Sequence, residues 1–176
     1  MKILKENLKK AGYFNAGLIV VAIVLRLMNM FNTPALVIAD SIVCIAALVF
    51  GLFYSLKGYK KDAAAYYKLF MYLLLVSSLM SLSTIVVKFN ALMLICNIII
   101  FVCVVALAVA NNLGESKSNN CALIILICDL IKFFYIVAKT NDMPAIAGGF
   151  GNLALACVLC VFVSAKYADK AARGSK

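Results

Sequence analysis

The chain has 176 residues, of which 66% are hydrophobic and only 14% are charged, and its mean hydropathy is +1.06. This composition lies far outside the range of soluble globular domains, so it excludes a water-soluble fold. The formal net charge of +10 raises the question of a nucleic-acid partner. Beside apolar helices, a basic rim is explained by membrane topology and by anionic lipid headgroups, so we expect no nucleic-acid binding.

Six stretches are long and apolar enough to cross a bilayer, because roughly 30 Å of hydrocarbon requires about 20 apolar residues in a helix. Runs such as Leu92 to Ala110 lack the alternating polarity of membrane strands. We therefore predict an all-α polytopic membrane protein with six transmembrane helices in one bundle. The predicted spans are residues 13–31, 35–56, 69–87, 90–110, 121–138 and 145–165.

Short links arrange these helices as three antiparallel hairpins, with connections at 32–34, 88–89 and 139–144. Pro34 is expected where a helix begins, because a proline there needs no N–H, and Thr33 is its predicted N-cap. The first and third hairpins are faintly alike, which hints at an internal repeat.

The positions of the basic residues predict the orientation. Thirteen lysines and arginines flank the helices on one side, whereas only Lys88 and Lys139 flank them on the other. Since cytoplasmic flanks collect basic residues, we expect both termini in the cytoplasm and the protein in the cell membrane. Residues 1–12 are predicted to form a basic amphipathic lead-in, residues 13–165 the helical domain and residues 166–176 a basic tail.

Two features on the basic side point to the lipid surface. Tyrosines are expected to anchor the helices at the interface. These are Tyr13, Tyr54, Tyr59, Tyr66, Tyr67 and Tyr167. The connector 57–68 mixes basic and aromatic residues and is expected to lie on anionic headgroups. Because it is longer than a plain link requires, a docking surface for a membrane or cytoplasmic partner subunit is the alternative.

The composition removes most catalytic and metal chemistry. The chain contains no histidine, which is the commonest zinc ligand and the commonest general base. Its seven cysteines lie within or at the edge of predicted spans, where Cys packs as a small residue, and this includes the pair Cys157 and Cys160. No phosphate-binding glycine loop, metal cluster or nucleophile motif is present. We therefore predict no catalytic residue, no metal and no cofactor.

Four ionisable residues inside the spans are the most informative, because a charge in hydrocarbon costs on the order of 3 kcal/mol even on the mildest insertion scale. Arg26 and Asp40 each lie seven residues from Thr33, so they reach the same depth in an antiparallel hairpin and are expected to pair. Asp129 and Lys132 are three residues apart on one helical face and are expected to pair as well.

Polar and small residues recur at helical spacing in all six spans, which predicts that six stripes meet at one interior. The strongly polar members lie mostly in the outer half of the bundle, whereas the inner half is filled by small residues. This pattern indicates a polar chamber that opens outward above a packed floor. The predicted ligand-binding residues are Arg26, Asn29, Asp40, Ser81, Asn97, Asp129, Lys132 and Asn152.

These observations favour a small membrane protein that binds or transports a small polar or zwitterionic solute through the chamber. The six spans, the cytoplasmic termini and the outer chamber are similar to the substrate-binding subunits of energy-coupling vitamin transporters, a resemblance of architecture that implies solute binding. One alternative is an accessory or structural membrane subunit whose polar stripes only hold helices together. Another is an intramembrane lipid-modifying enzyme that uses Asp40 or Asp129 for acid–base chemistry.

Overall fold

The structure is a computed structural model that describes residues 2–31, 33–57, 59, 63–87, 90–109 and 113–174. The described residues are all-helical without strands, and they include six helices long and apolar enough to span a membrane, which confirms the predicted fold class. The protein is therefore a multi-pass helical membrane protein. The helices are α1 (Lys2–Asn29), α2 (Ala35–Leu56), α3 (Ala64–Val87), α4 (Ala91–Val109), α5 (Glu115–Lys139) and α6 (Met143–Gly174).

Several helices extend beyond the predicted spans. The lead-in forms the first turns of α1 from Lys2 onward, α3 begins at Ala64, and α5 begins at Glu115. The predicted basic tail continues α6 as far as Gly174. An apolar run marks only the part of a helix that lies in hydrocarbon, whereas the backbone hydrogen bonds continue into the polar interface.

The start of α2 differs in detail from the prediction. Pro34 occupies the N-cap position, and its carbonyl oxygen accepts hydrogen bonds from the N–H groups of Val37, at 2.9 Å, and Ile38, at 3.2 Å. The predicted N-cap at Thr33 is therefore wrong, and the buried Thr33 hydroxyl has no partner among the described residues. The helix begins one residue after the proline because the extended backbone of Pro34, at φ −57° and ψ 149°, already presents its carbonyl to the first turn.

The six helices form a closed ring in chain order. Each helix packs on its neighbours in sequence, and α6 packs on α1 to complete the ring. The helices α1, α3 and α5 end, and the helices α2, α4 and α6 begin, at one end of the bundle, which we call the hairpin end. The opposite ends of the six helices lie at the other end, which we call the terminal end.

An aromatic cluster fills the terminal end around Phe162, whose side chain is 0% exposed. The ring centroids of Tyr54, Tyr59, Tyr67 and Phe70 lie 5.2, 6.1, 6.5 and 5.0 Å from the Phe162 centroid. The Tyr54 and Phe70 rings meet the Phe162 ring edge to face, a favourable geometry for aromatic pairs. The helices are therefore tightly packed at this end.

The cluster shows that interfacial anchoring was wrongly predicted for three of the six tyrosines. Tyr54, Tyr59 and Tyr67 are buried inside the bundle rather than exposed at the lipid surface, whereas Tyr13 is 59% exposed. Tyr59 belongs to the connector 57–68, and its side chain is buried in the bundle. Its backbone has a positive φ of 59°. The rings are buried because they complete the packing between helices, an effect that hydropathy along the chain does not detect.

Candidate functional site

Arg26 on α1 and Asp40 on α2 form the predicted ion pair, with Arg26 Nη1 and Asp40 Oδ2 3.4 Å apart. Only 3% of Arg26 is exposed, and Asp40 is also buried. The hairpin geometry brings the two side chains to the same depth, as their equal spacing from Thr33 predicts. The pair neutralises one cation and one anion within the span.

Neighbouring helices hold both members of this pair. Ser77 on α3 donates a hydrogen bond of 2.6 Å from its hydroxyl to Asp40 Oδ1. The Cys44 sulfur lies 3.0 Å from the same Ser77 hydroxyl oxygen. On the other side, Arg26 Nη2 donates to the side-chain oxygen of Asn152 on α6. One buried guanidinium thus connects α1, α2 and α6, and the Asp40 carboxylate extends the network to α3.

A second ion pair lies on α5. Lys132 Nζ donates to Asp129 Oδ1 at 2.9 Å, which confirms the predicted pairing three residues apart, and Asp129 is buried. Asp129 also lies close enough to Arg26 to interact with it electrostatically. The four ionisable groups therefore alternate in sign, from Asp40 through Arg26 and Asp129 to Lys132, and their formal charges sum to zero.

The charged groups border a cavity between the helices with a volume of about 40 Å³. A water molecule needs about 10–15 Å³ of such space, so the cavity is large enough for about three waters. Six of the eight predicted ligand-binding residues line it. They are Arg26, Ser81, Asn97, Asp129, Lys132 and Asn152.

Apart from Ser77 and Ser78, the remaining wall is apolar, and its deepest residues lie nearer the terminal end. Leu159 lines the cavity and precedes Phe162 of the aromatic cluster by one helical turn. Beside it, Gly51 packs so closely that an added Cβ atom would lie 3.1 Å from the Phe162 ring. The cavity thus combines a polar region with a floor of packed hydrocarbon and aromatic rings.

Two predicted ligand-binding residues lie outside the cavity lining. Asp40 supports Arg26 from the α2 side, as described above. Asn29 donates from Nδ2 to the Ser41 hydroxyl at 3.3 Å, and its side chain packs on Gly148, where an added Cβ atom would lie 2.5 Å from Asn29 Oδ1. Asn29 is therefore positioned as a contact between helices α1, α2 and α6.

Ser77 and Ser78 line the cavity although they were not among the predicted ligand-binding residues. Ser77 lies four residues before Ser81 and so shares its helical face, which is the signal that could have identified it. The Ser78 hydroxyl donates to the Leu75 carbonyl oxygen at 2.8 Å. Because this hydrogen bond lies within its own helix, it satisfies the hydroxyl without a partner on another helix.

Among the described residues, no group of three or more His, Cys, Asp or Glu side chains is arranged to hold a metal ion. Comparisons with protein-family models, with curated proteins and with solved structures find no match to the chain.

Proposed function

We propose that the protein binds a small zwitterionic or polar solute in the cavity between its helices and carries it across the membrane. The observation that supports this proposal is that Arg26, Asp129 and Lys132, charges of both signs, border one cavity inside the transmembrane bundle. Helix adhesion alone needs only hydrogen-bonding and small residues. Buried ion pairs often stabilise a fold no better than apolar residues do. Ligand binding therefore explains the presence of these charges better than helix packing does.

The charges favour a ligand with no net charge. A solute carboxylate would be bound by Arg26 and Lys132, and a solute ammonium group by Asp129. Arg26 Nε is a suitable extra donor, because it is buried without a hydrogen-bond partner among the described residues. The charged groups of a zwitterion would take the place of the partners in the internal ion pairs, and the total formal charge in the cavity would remain zero. A singly charged ion would instead leave an uncompensated charge, which costs several kcal/mol.

The size of the cavity implies that the bundle opens during binding. About 40 Å³ accommodates only a few waters, so a solute of amino-acid size requires separation of the helices at the hairpin end. The excess of basic residues at the terminal end favours a cytoplasmic location for that end, so the solute would enter from outside. The aromatic cluster would then be the barrier to release on the inner side.

Ligand-induced stabilisation tests this proposal. Purified protein would be heated with glycine or a small betaine, and separately with a simple amine or a simple carboxylate. Saturation at 100 times the dissociation constant stabilises a protein by about 2.7 kcal/mol. We expect the zwitterions alone to raise the unfolding temperature.

Two variants on α5 sharpen this test. Asp129→Asn should lose the stabilisation by zwitterions, whereas Lys139→Gln, at an exposed position on the same helix, should retain it. The same solute shift in wild type and Asp129→Asn would refute the assigned site. No shift with any zwitterion would refute the solute class.

A second function is favoured by a different observation, namely that the charges facing the cavity already have protein partners. Arg26 contacts Asp40 and Asn152, and Lys132 contacts Asp129. Such an arrangement also suits an accessory membrane subunit with no solute of its own. Native mass spectrometry distinguishes the two: a co-purified small molecule supports the solute-binding protein, and a stoichiometric protein partner without one supports the subunit.

A further inference from the structure

Four of the seven cysteines face one another in register across α4 and α5. The two helices pack together and are joined by the link 110–114. Cys96 and Cys128 each lie 16 residues from position 112, the middle of that link, and Cys103 and Cys121 each lie nine residues from it. Antiparallel neighbours place such residues opposite each other. A hydrogen bond from Asn90 to the Tyr135 hydroxyl shows nearly the same register.

The four thiols also meet within the interface. Cys96, Cys103 and Cys128 are buried, and Cys121 is partly exposed. Cys103 interacts with the Cys121 thiol, and Cys128 interacts with the Cys96 thiol. Two separate thiol pairs therefore lie about 10 Å apart along the helices, since seven residues rise by that distance.

We propose that these pairs are an oxidative modification site at which Cys96 forms a disulfide with Cys128, and Cys103 forms one with Cys121. Each reaction breaks two S–H bonds and forms one S–S bond, and it transfers two electrons and two protons to an oxidant. A membrane-soluble quinone is a suitable oxidant, because it is reduced to the hydroquinone by that number of electrons and protons.

Disulfide formation fits this environment better than metal binding. Two thiolates around a monovalent soft metal ion would leave a net negative charge inside the bundle, which is costly to bury, whereas a disulfide is neutral. Each pair also lacks a third ligand, because no metal-holding group of three or more such side chains is found in the described part of the chain.

The modification would act on the wall of the cavity. Cys96 precedes Asn97 and Cys128 precedes Asp129, and both of these polar residues line the cavity. A disulfide between Cys96 and Cys128 would fix α4 against α5 beside them. Opening of the bundle would then have to occur at another helix interface. The proposal does not depend on solute binding, because it rests on the register of the thiols alone.

Four variants that each retain two cysteines test the pairing, with the other five replaced by alanine. Two variants keep the in-register pairs, Cys96 with Cys128 and Cys103 with Cys121. Two matched controls keep Cys96 with Cys121 and Cys103 with Cys128, which are about 10 Å out of register. Disulfides require Cα atoms within about 7 Å, so the controls should cross-link about tenfold less.

The purified folded variants would be treated with copper phenanthroline in air, alkylated with a maleimide and weighed intact. In-register variants should lose two hydrogen atoms and take up no maleimide. Equal cross-linking of all four variants would overturn the proposal. It would also be overturned if the folded in-register variants formed no disulfide while the same variants cross-linked when unfolded. If the variants fail to fold, peptide mapping of the oxidised wild-type protein gives the same decision by showing which cysteines are joined. The solute tests use reduced protein, so either result leaves them independent.

Discussion

The Arg26 guanidinium and the Asp40 carboxylate meet across the α1–α2 hairpin, with Nη1 and Oδ2 3.4 Å apart. Each group is buried, and each is held by a further helix, through Asn152 for Arg26 and Ser77 for Asp40. The two charges are therefore mutually dependent: removal of either leaves the other in a low-dielectric interior without its counter-charge.

A double-mutant cycle measures this dependence. Arg26→Leu and Asp40→Leu should each destabilise the fold by about 3–5 kcal/mol, because each leaves one unpaired buried charge. The double variant should recover a large part of that loss. Thermal unfolding in detergent, followed by circular dichroism, gives the free energies. Lys139→Leu, at an exposed site, is the control, and additive effects of the two single changes would contradict the pairing.

Two glycines in α1 provide a matched comparison of packing. A Cβ atom at Gly12 would lie 2.7 Å from the Ser55 backbone carbonyl oxygen, whereas one at Gly17 would meet nothing within 4 Å. Gly12→Ala should therefore force α1 and α2 apart and cost about 1–3 kcal/mol. Gly17→Ala should be neutral or stabilising by up to about 1 kcal/mol, through its higher helix propensity. Unfolding free energies of the two variants check this, and equal effects would argue against the close approach.

Phe162 is expected to make the largest aromatic contribution to stability. Its ring is fully buried among four other rings, so Phe162→Ala should cost about 3–5 kcal/mol. Phe162→Leu should cost less, because it leaves a smaller void. Phe14→Ala, at a side chain that is 68% exposed, should change the unfolding free energy little. A small loss for Phe162→Ala would show that the terminal end is loosely packed.

The stability of the fold should fall at alkaline pH through Tyr59. Burial raises the pKa of Tyr59 above its ordinary value of 10, and the nearby polar side chains of Ser55 and Asn15 oppose that shift only in part. The folded protein therefore holds this proton at a pH where the unfolded chain has lost it. The stabilising contribution is complete below about pH 10 and is lost as the pH rises through the folded-state pKa.

Tyr59→Phe removes the ionisable group and should weaken this alkaline decline. Unfolding free energies measured between about pH 8 and pH 11 give the slope for each protein. Tyr13→Phe, at an exposed ring, is the matched control and should keep the wild-type slope. An unchanged slope in Tyr59→Phe would show that the hydroxyl is hydrated in the folded state.

Sequence reasoning identified the six helices and both intramembrane ion pairs because these depend on local regularities. An apolar run predicts a membrane span. Equal spacing about Thr33 predicts that Arg26 and Asp40 lie at the same depth. A separation of three residues predicts the pairing of Asp129 with Lys132. It also identified most of the polar residues that line the cavity, since helical periodicity shows which side chains share a face.

The differences arise where contacts between distant parts of the chain decide. Tyr59 was expected at the lipid surface because its neighbours are basic, yet it packs on Phe162, which lies 103 residues later. Asn29 was expected to contact a ligand, yet Ser41 and Gly148 use its side chain for helix packing. Polarity along one helix does not reveal which neighbour a side chain meets.

The closure of the ring by α6 imposes an order on assembly. Arg26 finds Asp40 only 14 residues later in the chain, whereas its partner Asn152 follows after 126 residues. In a nascent chain that emerges from the ribosome, the two intramembrane charges of the first hairpin therefore neutralise each other long before the bundle is complete. Until the last helix arrives, the flank of α1 that it will cover remains open to lipid or to an insertion chaperone.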